Sequence, residues 1–190
     1  KGFIQRELDL TGYNDKNVLR INVHSASSNA DLMQGIGIAA NNKGQIEYSE
    51  KQGLILNHIK EAISKPYQAF AIVLEEIQEN SLNELIGDLI YLIEPDKRAK
   101  LSAHIEEGNI EVGKEYPSFE DFLEGLTAND VHFVQIPYLV EARTEVRKMI
   151  FPDNLYLFCT SNYRDDKKIV EDNLMRRFEM IELYPRYKDV

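Results

Sequence analysis

Cysteine is almost absent: Cys159 is the one thiol among 190 residues, set in the apolar run Leu155-Tyr-Leu-Phe-Cys159. A single thiol cannot close an intrachain disulfide, which suits a reducing compartment, and its apolar neighbours predict a buried, inert side chain. Long apolar runs are missing as well. None approaches the ~20 residues that span a bilayer, and the start, Lys1-Gly-Phe-Ile-Gln-Arg-Glu7, does not have the pattern of a signal peptide. A cytoplasmic protein with no membrane segment is the expectation. Positive charge is in deficit, with 22 basic against 32 acidic side chains and a formal charge of −10. That balance repels a phosphate backbone and argues against direct nucleic-acid binding by this segment. The histidines, His24, His58, His104 and His132, lack ligand spacing, so no imidazole metal centre is expected. There is no internal repeat and no low-complexity tract.

What remains is an ordinary globular composition, 43% hydrophobic and 28% charged, long enough for one domain or a large piece of one. Val18 to Val23 alternates as a strand does, and a Ser/Asn-rich turn follows at residues 25–29. Asn41-Asn-Lys-Gly44 predicts a tight hairpin turn between short strands. From Gly53 to Ser64 the apolar positions Leu54, Ile55, Ile59, Ala62 and Ile63 have helical spacing, and Pro66 stops the helix. Phe70-Ala-Ile-Val-Leu74 is a continuous apolar run of the kind buried on both faces of a parallel sheet. One helix is expected from Leu82 to Ile93, ended by Pro95. Residues 99–148 are less regular, with a hairpin expected around residues 107–109 and an amphipathic helical stretch over residues 118–126. Leu155 to Cys159 reads as a second central strand. A short helix over residues 169–177 and a last strand, Phe178 to Leu183, close the pattern, which is α/β with a mostly parallel sheet.

Chemistry gathers where these strands end. Glu75 and Glu76 follow the first apolar run, at the edge where open α/β sheets place ligands. One carboxylate there can hold a hydrated Mg²⁺ while its neighbour polarises a water; equally, two acids can begin a solvated loop. Asn162 follows the second run, where a side-chain amide can meet a water or a γ-phosphate, or can serve as a turn residue. Arg176 and Arg177 lie at an expected helix end. They can neutralise charge on a transferred phosphoryl group, or complement the helix dipole.

In order along the chain, these segments resemble the AAA+ ATPases of the McrB type. Phe70-Ala-Ile-Val-Leu-Glu-Glu-Ile77 looks like a Walker B strand, and Leu85-Ile-Gly-Asp-Leu-Ile-Tyr-Leu-Ile-Glu-Pro-Asp-Lys-Arg98 like the helix that follows it. Phe151-Pro-Asp-Asn-Leu-Tyr-Leu-Phe-Cys-Thr-Ser-Asn162 resembles the family's sensor 1 strand, and the segment from Asp172 to Pro185 its arginine-finger region. The loop from Ile21 to Gly35 is similar, more loosely, to the stretch between Walker A and Walker B. The resemblance implies a P-loop NTPase (AAA+) core over residues 1–190, with a pre-sensor 1 insertion at about 99–148. It also implies ATP or GTP with Mg²⁺ as cofactor, hydrolysis within a ring of identical subunits, and a nuclease or effector partner in restriction or phage defence. Residue by residue, Glu75 would be the Mg²⁺-side acid, Glu76 the water-polarising acid and Asn162 sensor 1. Arg176 or Arg177 would be the finger reaching a nucleotide on the next subunit.

Three departures from that pattern stand out. The family has aspartate where this chain has Glu75, and arginine where it has Glu79. No G-x-x-x-x-G-K-[ST] occurs at all. That loop supplies an N–H cradle, a lysine and the hydroxyl that meets Mg²⁺. The expectation is therefore a fragment that begins after Walker A and is inactive alone. The competing expectation is a domain that has lost hydrolysis and serves assembly or interaction.

Overall fold

The computed structural model describes residues 15–106, 123, 131–140, 147–162, 174 and 176–183. The apolar runs make strands where their pattern predicts. Three of them, β1 (Val18–Asn22), β4 (Phe70–Glu75) and β7 (Leu155–Cys159), form a wholly parallel sheet in the order β1-β4-β7. Strand β4 lies in the middle, and Phe70 through Leu74 are at most 1% exposed. Both faces of this strand are thus covered, which is why its sequence is continuous rather than alternating. Strand β7 departs from expectation. It has β4 on one side only among the described residues, and after Leu155 its side chains are half-buried.

Between β1 and β4 the chain makes one helical turn, α1 (Asn29–Leu32), then a hairpin of β2 (Gln34–Ala40) and β3 (Ile46–Gln52), then α2 (Leu54–Ser64). The hairpin turn is held by Asn41, whose Oδ1 accepts the N–H groups of Lys43 and Gln45 at 2.9 and 3.0 Å. Gly53 stands at the start of α2, where an added Cβ would lie 2.2 Å from the Leu32 carbonyl carbon; only glycine fits there. Helix α2 turns Ile55, Leu56, Ile59, Ala62 and Ile63 into the core that it shares with Phe70, Ile72 and Leu74.

The helix expected over 82–93 is instead two short ones, α3 (Leu82–Ile86) and α4 (Leu89–Leu92). Gly87 between them has φ +53°, a left-handed conformation that no α-helix contains, so the apolar periodicity continues while the helix does not. Helix α5 (Leu101–Glu106) follows, and strands β5 (Val134–Ile136) and β6 (Arg147–Met149) pair antiparallel. The expected features at residues 107–109, most of 118–126 and most of 169–177 lie outside the described residues. The expected last strand, Phe178 to Leu183, is not one: it joins no ladder among the described residues, and Met180, Ile181 and Leu183 are 54–88% exposed. Apolar side chains alone do not make a strand where no described neighbour accepts the backbone hydrogen bonds.

Two side chains fasten the lower edge of the parallel sheet. The Asn154 amide donates to the carbonyls of Ala62, Lys65 and Gln68 at 2.9–3.1 Å, tying the end of α2 to the start of β7. His58, buried on α2, places Nε2 3.1 Å from the carbonyls of both Asn17 and Ala71, and meets the Phe70 ring edge-on at 5.4 Å. Burial holds this imidazole below its ordinary value of 6.5, and the two carbonyls and Glu61 only partly offset that. The fold therefore carries neutral His58, whereas the unfolded chain takes up a proton below about pH 6.5. His58's part in stability is complete above pH 6.5 and is lost progressively as the pH falls from there toward the lowered native value. Urea midpoints measured at pH 7.5 and 5.5 should fall with acid in the native sequence. They should fall less in His58→Gln, and equal slopes in the two proteins would remove this role.

Candidate functional site at the strand ends

The upper ends of β4 and β7 are joined beyond their regular registers. Thr160 N–H donates to the Leu74 carbonyl at 2.9 Å, and Ile77 N–H to the Thr160 carbonyl at 3.0 Å. On the other side Val23 N–H donates to the Glu75 carbonyl at 2.8 Å. The chain must leave β4 sharply to do this, and the turn falls on Glu76, with φ 60° and ψ 42°. Among the described residues Glu76 is the one non-glycine with positive φ. Such a conformation costs on the order of 1 kcal/mol or more and is retained where surrounding contacts enforce it. A single 3₁₀ turn, Ile77–Glu79, follows.

The turn sends the two adjacent glutamates to different partners. Glu75 Oε1 pairs with Arg20 Nη1 of β1 at 2.7 Å, an ion pair more than a third exposed on both sides. Its other oxygen has no partner among the described residues. Glu76, half-buried, gathers two amides. Its Oε2 accepts from Gln78 Nε2 at 2.6 Å and from Asn162 Nδ2 at 3.0 Å, with Oε1 3.4 Å from the same Asn162 nitrogen. Gln78 is 5% exposed and uses its other end as well, its Oε1 accepting the Asn162 backbone N–H at 3.3 Å. The loop after β1 is held to the same turn, because Asn80 Nδ2 donates to the Ser27 carbonyl at 2.8 Å.

Glu75, Glu76 and Asn162, named from the sequence alone, thus stand together at one edge of the sheet. Arg20 and Gln78 were not among them. Gln78 could have been suspected as a polar residue two places after the acid pair. Arg20 looked like the solvent side of an alternating strand. Of the two acids, Glu75 is the one with an oxygen that could meet a divalent cation, and then through water. Glu75 keeps one free oxygen, but no group of three or more His, Cys, Asp or Glu among the described residues could chelate a bare ion. The Arg20 charge opposes such a cation. Cys159, one residue before this edge, is a poor nucleophile here: burial pushes its thiol up to about 12.

The two arginines part company. Arg177 Nη1 donates to the Ile90 carbonyl at 2.6 Å and Nη2 pairs with Glu94 at 3.2 Å, so this guanidinium fastens the end of α4 to the chain after Leu174. Glu94 also holds Lys97, whose ammonium lies 4.2 Å from the Tyr91 ring centroid. Arg176 is exposed, with no partner among the described residues. No described hydrogen bond or ion pair links either arginine to Glu75, Glu76 or Asn162.

A second polar cluster joins the two hairpins. Glu50 of β3 accepts the N–H groups of Leu139 and Val140 at 2.5 and 2.9 Å and pairs with Arg147 of β6 at 3.2 Å. Arg147 also donates to Gln34 and to the Pro137 carbonyl, and lies over the Tyr138 ring. Burial alone would raise the Glu50 carboxyl. The Val140 and Leu139 N–H groups and the Arg147 charge outweigh it and hold the carboxyl below the usual range. This fastens the β5–β6 hairpin to the β2–β3 hairpin.

No protein-family profile matches this chain. It is similar to the type IV methyl-directed restriction enzyme EcoKMcrB subunit of Escherichia coli (strain K12), with 22% identity over 191 aligned positions. The alignment covers 98% of this chain and 33% of that protein, so the chain spans about a third of the relative's length. This supports a relationship to McrB at the level of the whole chain, in keeping with a parallel α/β sheet flanked by helices.

The arginine geometry separates two variants. Arg177→Ala removes one bond to the Ile90 carbonyl, which still accepts the Ile93 N–H at 3.4 Å, and one ion pair to Glu94, which still holds Lys97, and should lower unfolding free energy by about 1–2 kcal/mol. Arg176→Ala should change it by less than about 0.5 kcal/mol, as befits an exposed surface position. Thermal or urea denaturation of the pair tests this, and equal losses would contradict it.

Proposed function

We propose that this chain is the hydrolysing and sensing part of an AAA+ nucleoside triphosphatase similar to the McrB-type ATPases. In this reading it takes ATP or GTP with Mg²⁺ and works in a ring of identical subunits, with a nuclease or effector subunit as partner in restriction or phage defence. The observation that carries it is the meeting of the Glu76 carboxylate with the Asn162 amide at the carboxyl end of a parallel sheet.

The chemistry follows from what these groups can do. Glu76 accepts both amide bonds chiefly on Oε2, and Oε1, with only a 3.4 Å approach from Asn162 Nδ2, would be the oxygen to meet a water. A carboxylate so placed can draw a proton from water as it attacks a γ-phosphorus, and phosphoryl transfer asks little more of the protein than position and charge. Asn162 keeps a second amide N–H for that water or for a γ-phosphate oxygen. Glu75 would hold Mg²⁺ through water on its free oxygen, and the bound ion would neutralise charge on the phosphate oxygens. Arg176, rather than the fastened Arg177, is the arginine left to reach a neighbouring subunit. The phosphate cradle is to be sought outside residues 1–190, so this chain by itself would be inactive.

A second reading rests on the Arg20–Glu75 ion pair, which gives the metal-side acid a resident cation. In that case the domain would be an NTPase-derived assembly module without hydrolysis. The two readings separate in the natural full-length protein. Under the first, Glu76→Gln keeps nucleotide binding and lowers turnover by about 100-fold or more. Under the second, calorimetry detects no nucleotide binding and subunit association persists. Binding with turnover unchanged in Glu76→Gln would end Glu76's assignment as the water-polarising acid.

A further inference from the structure

We infer that Gln78 is a positioning residue for hydrolysis at this site, setting the distance and orientation between Glu76 and Asn162. The inference rests on the reading of Glu76 as the water-polarising acid. Gln78 is a buried polar side chain with both ends engaged: Nε2 donates to Glu76 Oε2 at 2.6 Å, and Oε1 accepts the Asn162 backbone N–H at 3.3 Å. An ionised carboxylate, which only accepts, or an alkyl group could not make both bonds, since one end must donate and the other accept. The 3₁₀ turn makes this geometry available, because it folds residue 78 back beneath residue 76. Glu76 then has Oε2 committed to two amides, while Oε1 has only the longer 3.4 Å approach of Asn162 Nδ2. Without the Gln78 donor, the carboxylate is held by Asn162 alone and can rotate, and Asn162 loses the bond that fixes its own backbone. Misplacement by about 1 Å is enough to slow a positioned reaction by up to about 100-fold.

The role is distinct from a purely structural one because its cost falls on the chemical step. In the natural full-length protein, Gln78→Leu should lower kcat by about 10- to 100-fold while KM and the affinity for a non-hydrolysable nucleotide analogue change by less than about threefold. Gln78→Glu keeps the shape but replaces the donor by a second carboxylate, and kcat should fall at least as far. Gln78→Asn keeps both amide functions on a shorter arm and should recover part of the loss. Melting temperatures measured on the same proteins show whether kcat simply follows stability. Glu76→Gln, run alongside, keeps the two questions apart. If it abolishes turnover while Gln78→Leu, folded and binding nucleotide, turns over at the native rate, the positioning role is refuted and the hydrolytic reading stands. If kcat tracks melting temperature across the Gln78 series, the residue is structural and the inference fails. If Glu76→Gln itself leaves turnover intact, the hydrolytic reading has failed, and this inference with it.

Discussion

Strand β4 has a parallel neighbour on each side, and its hydrogen-bond ladders continue past the strand through Val23, Thr160 and Ile77. Nearly everything at the candidate site depends on that continuation. A strand that ended earlier would release Glu75 and Glu76 into a loop. Because the backbone stays paired up to the turn, the chain has room for one abrupt residue only, and Glu76 takes the left-handed conformation there. Two carboxylates adjacent in sequence are thereby pointed apart, one to a guanidinium on β1 and the other to amides on and beyond the same turn. Adjacent residues on a continuing strand would diverge too, but onto opposite faces of the sheet and not around its edge.

The apolar covering of β4 makes this arrangement stiff. Phe70, Ile72 and Leu74 lie in one core with α2, α3 and α4, so the strand cannot slide without opening contacts on several elements at once. His58, Asn154 and Arg98 work at the opposite edge. Arg98 donates to the Leu155 carbonyl at 2.6 Å and lies over the Phe151 ring, which anchors the start of β7. Polar side chains thus fix the ends of the sheet and apolar ones fix its middle. Each buried donor that meets a carbonyl also avoids the cost of an unpaired polar group.

Much of this could be read from residues alone. The run Phe70 to Leu74 identified a doubly covered strand because neither face offered a polar alternation, and the acids that end the run had to lie at the sheet edge. Asn162 followed by the same logic from Leu155 to Cys159. The hairpin turn at Asn41-Asn-Lys-Gly44 was legible from turn chemistry. The break at Gly87 was not, since apolar spacing persists across it, and neither was the lack of pairing over Phe178 to Leu183, which depends on neighbours and not on pattern. Arg176 and Arg177 look equivalent as letters. They differ only because Ile90 and Glu94 come to rest beside one of them. Gln78 could be suspected from its place after the acid pair, but its partners could not, since they depend on a side-chain rotamer within a 3₁₀ turn.

The two halves of the site, the acid Glu76 after β4 and the amide Asn162 after β7, are hydrogen-bonded neighbours in space yet lie 86 residues apart along the chain. Bringing them together is a loop-closure problem, and the entropy lost on closing a loop grows only with the logarithm of its length. Doubling that excursion would cost about 0.6 kcal/mol for a flexible connection. The stretch between the halves is therefore under little thermodynamic pressure to keep a fixed length, provided that β7 still finds its register on β4. Related chains can be expected to vary most there, lengthening or shortening the excursion while the strand ends keep their places.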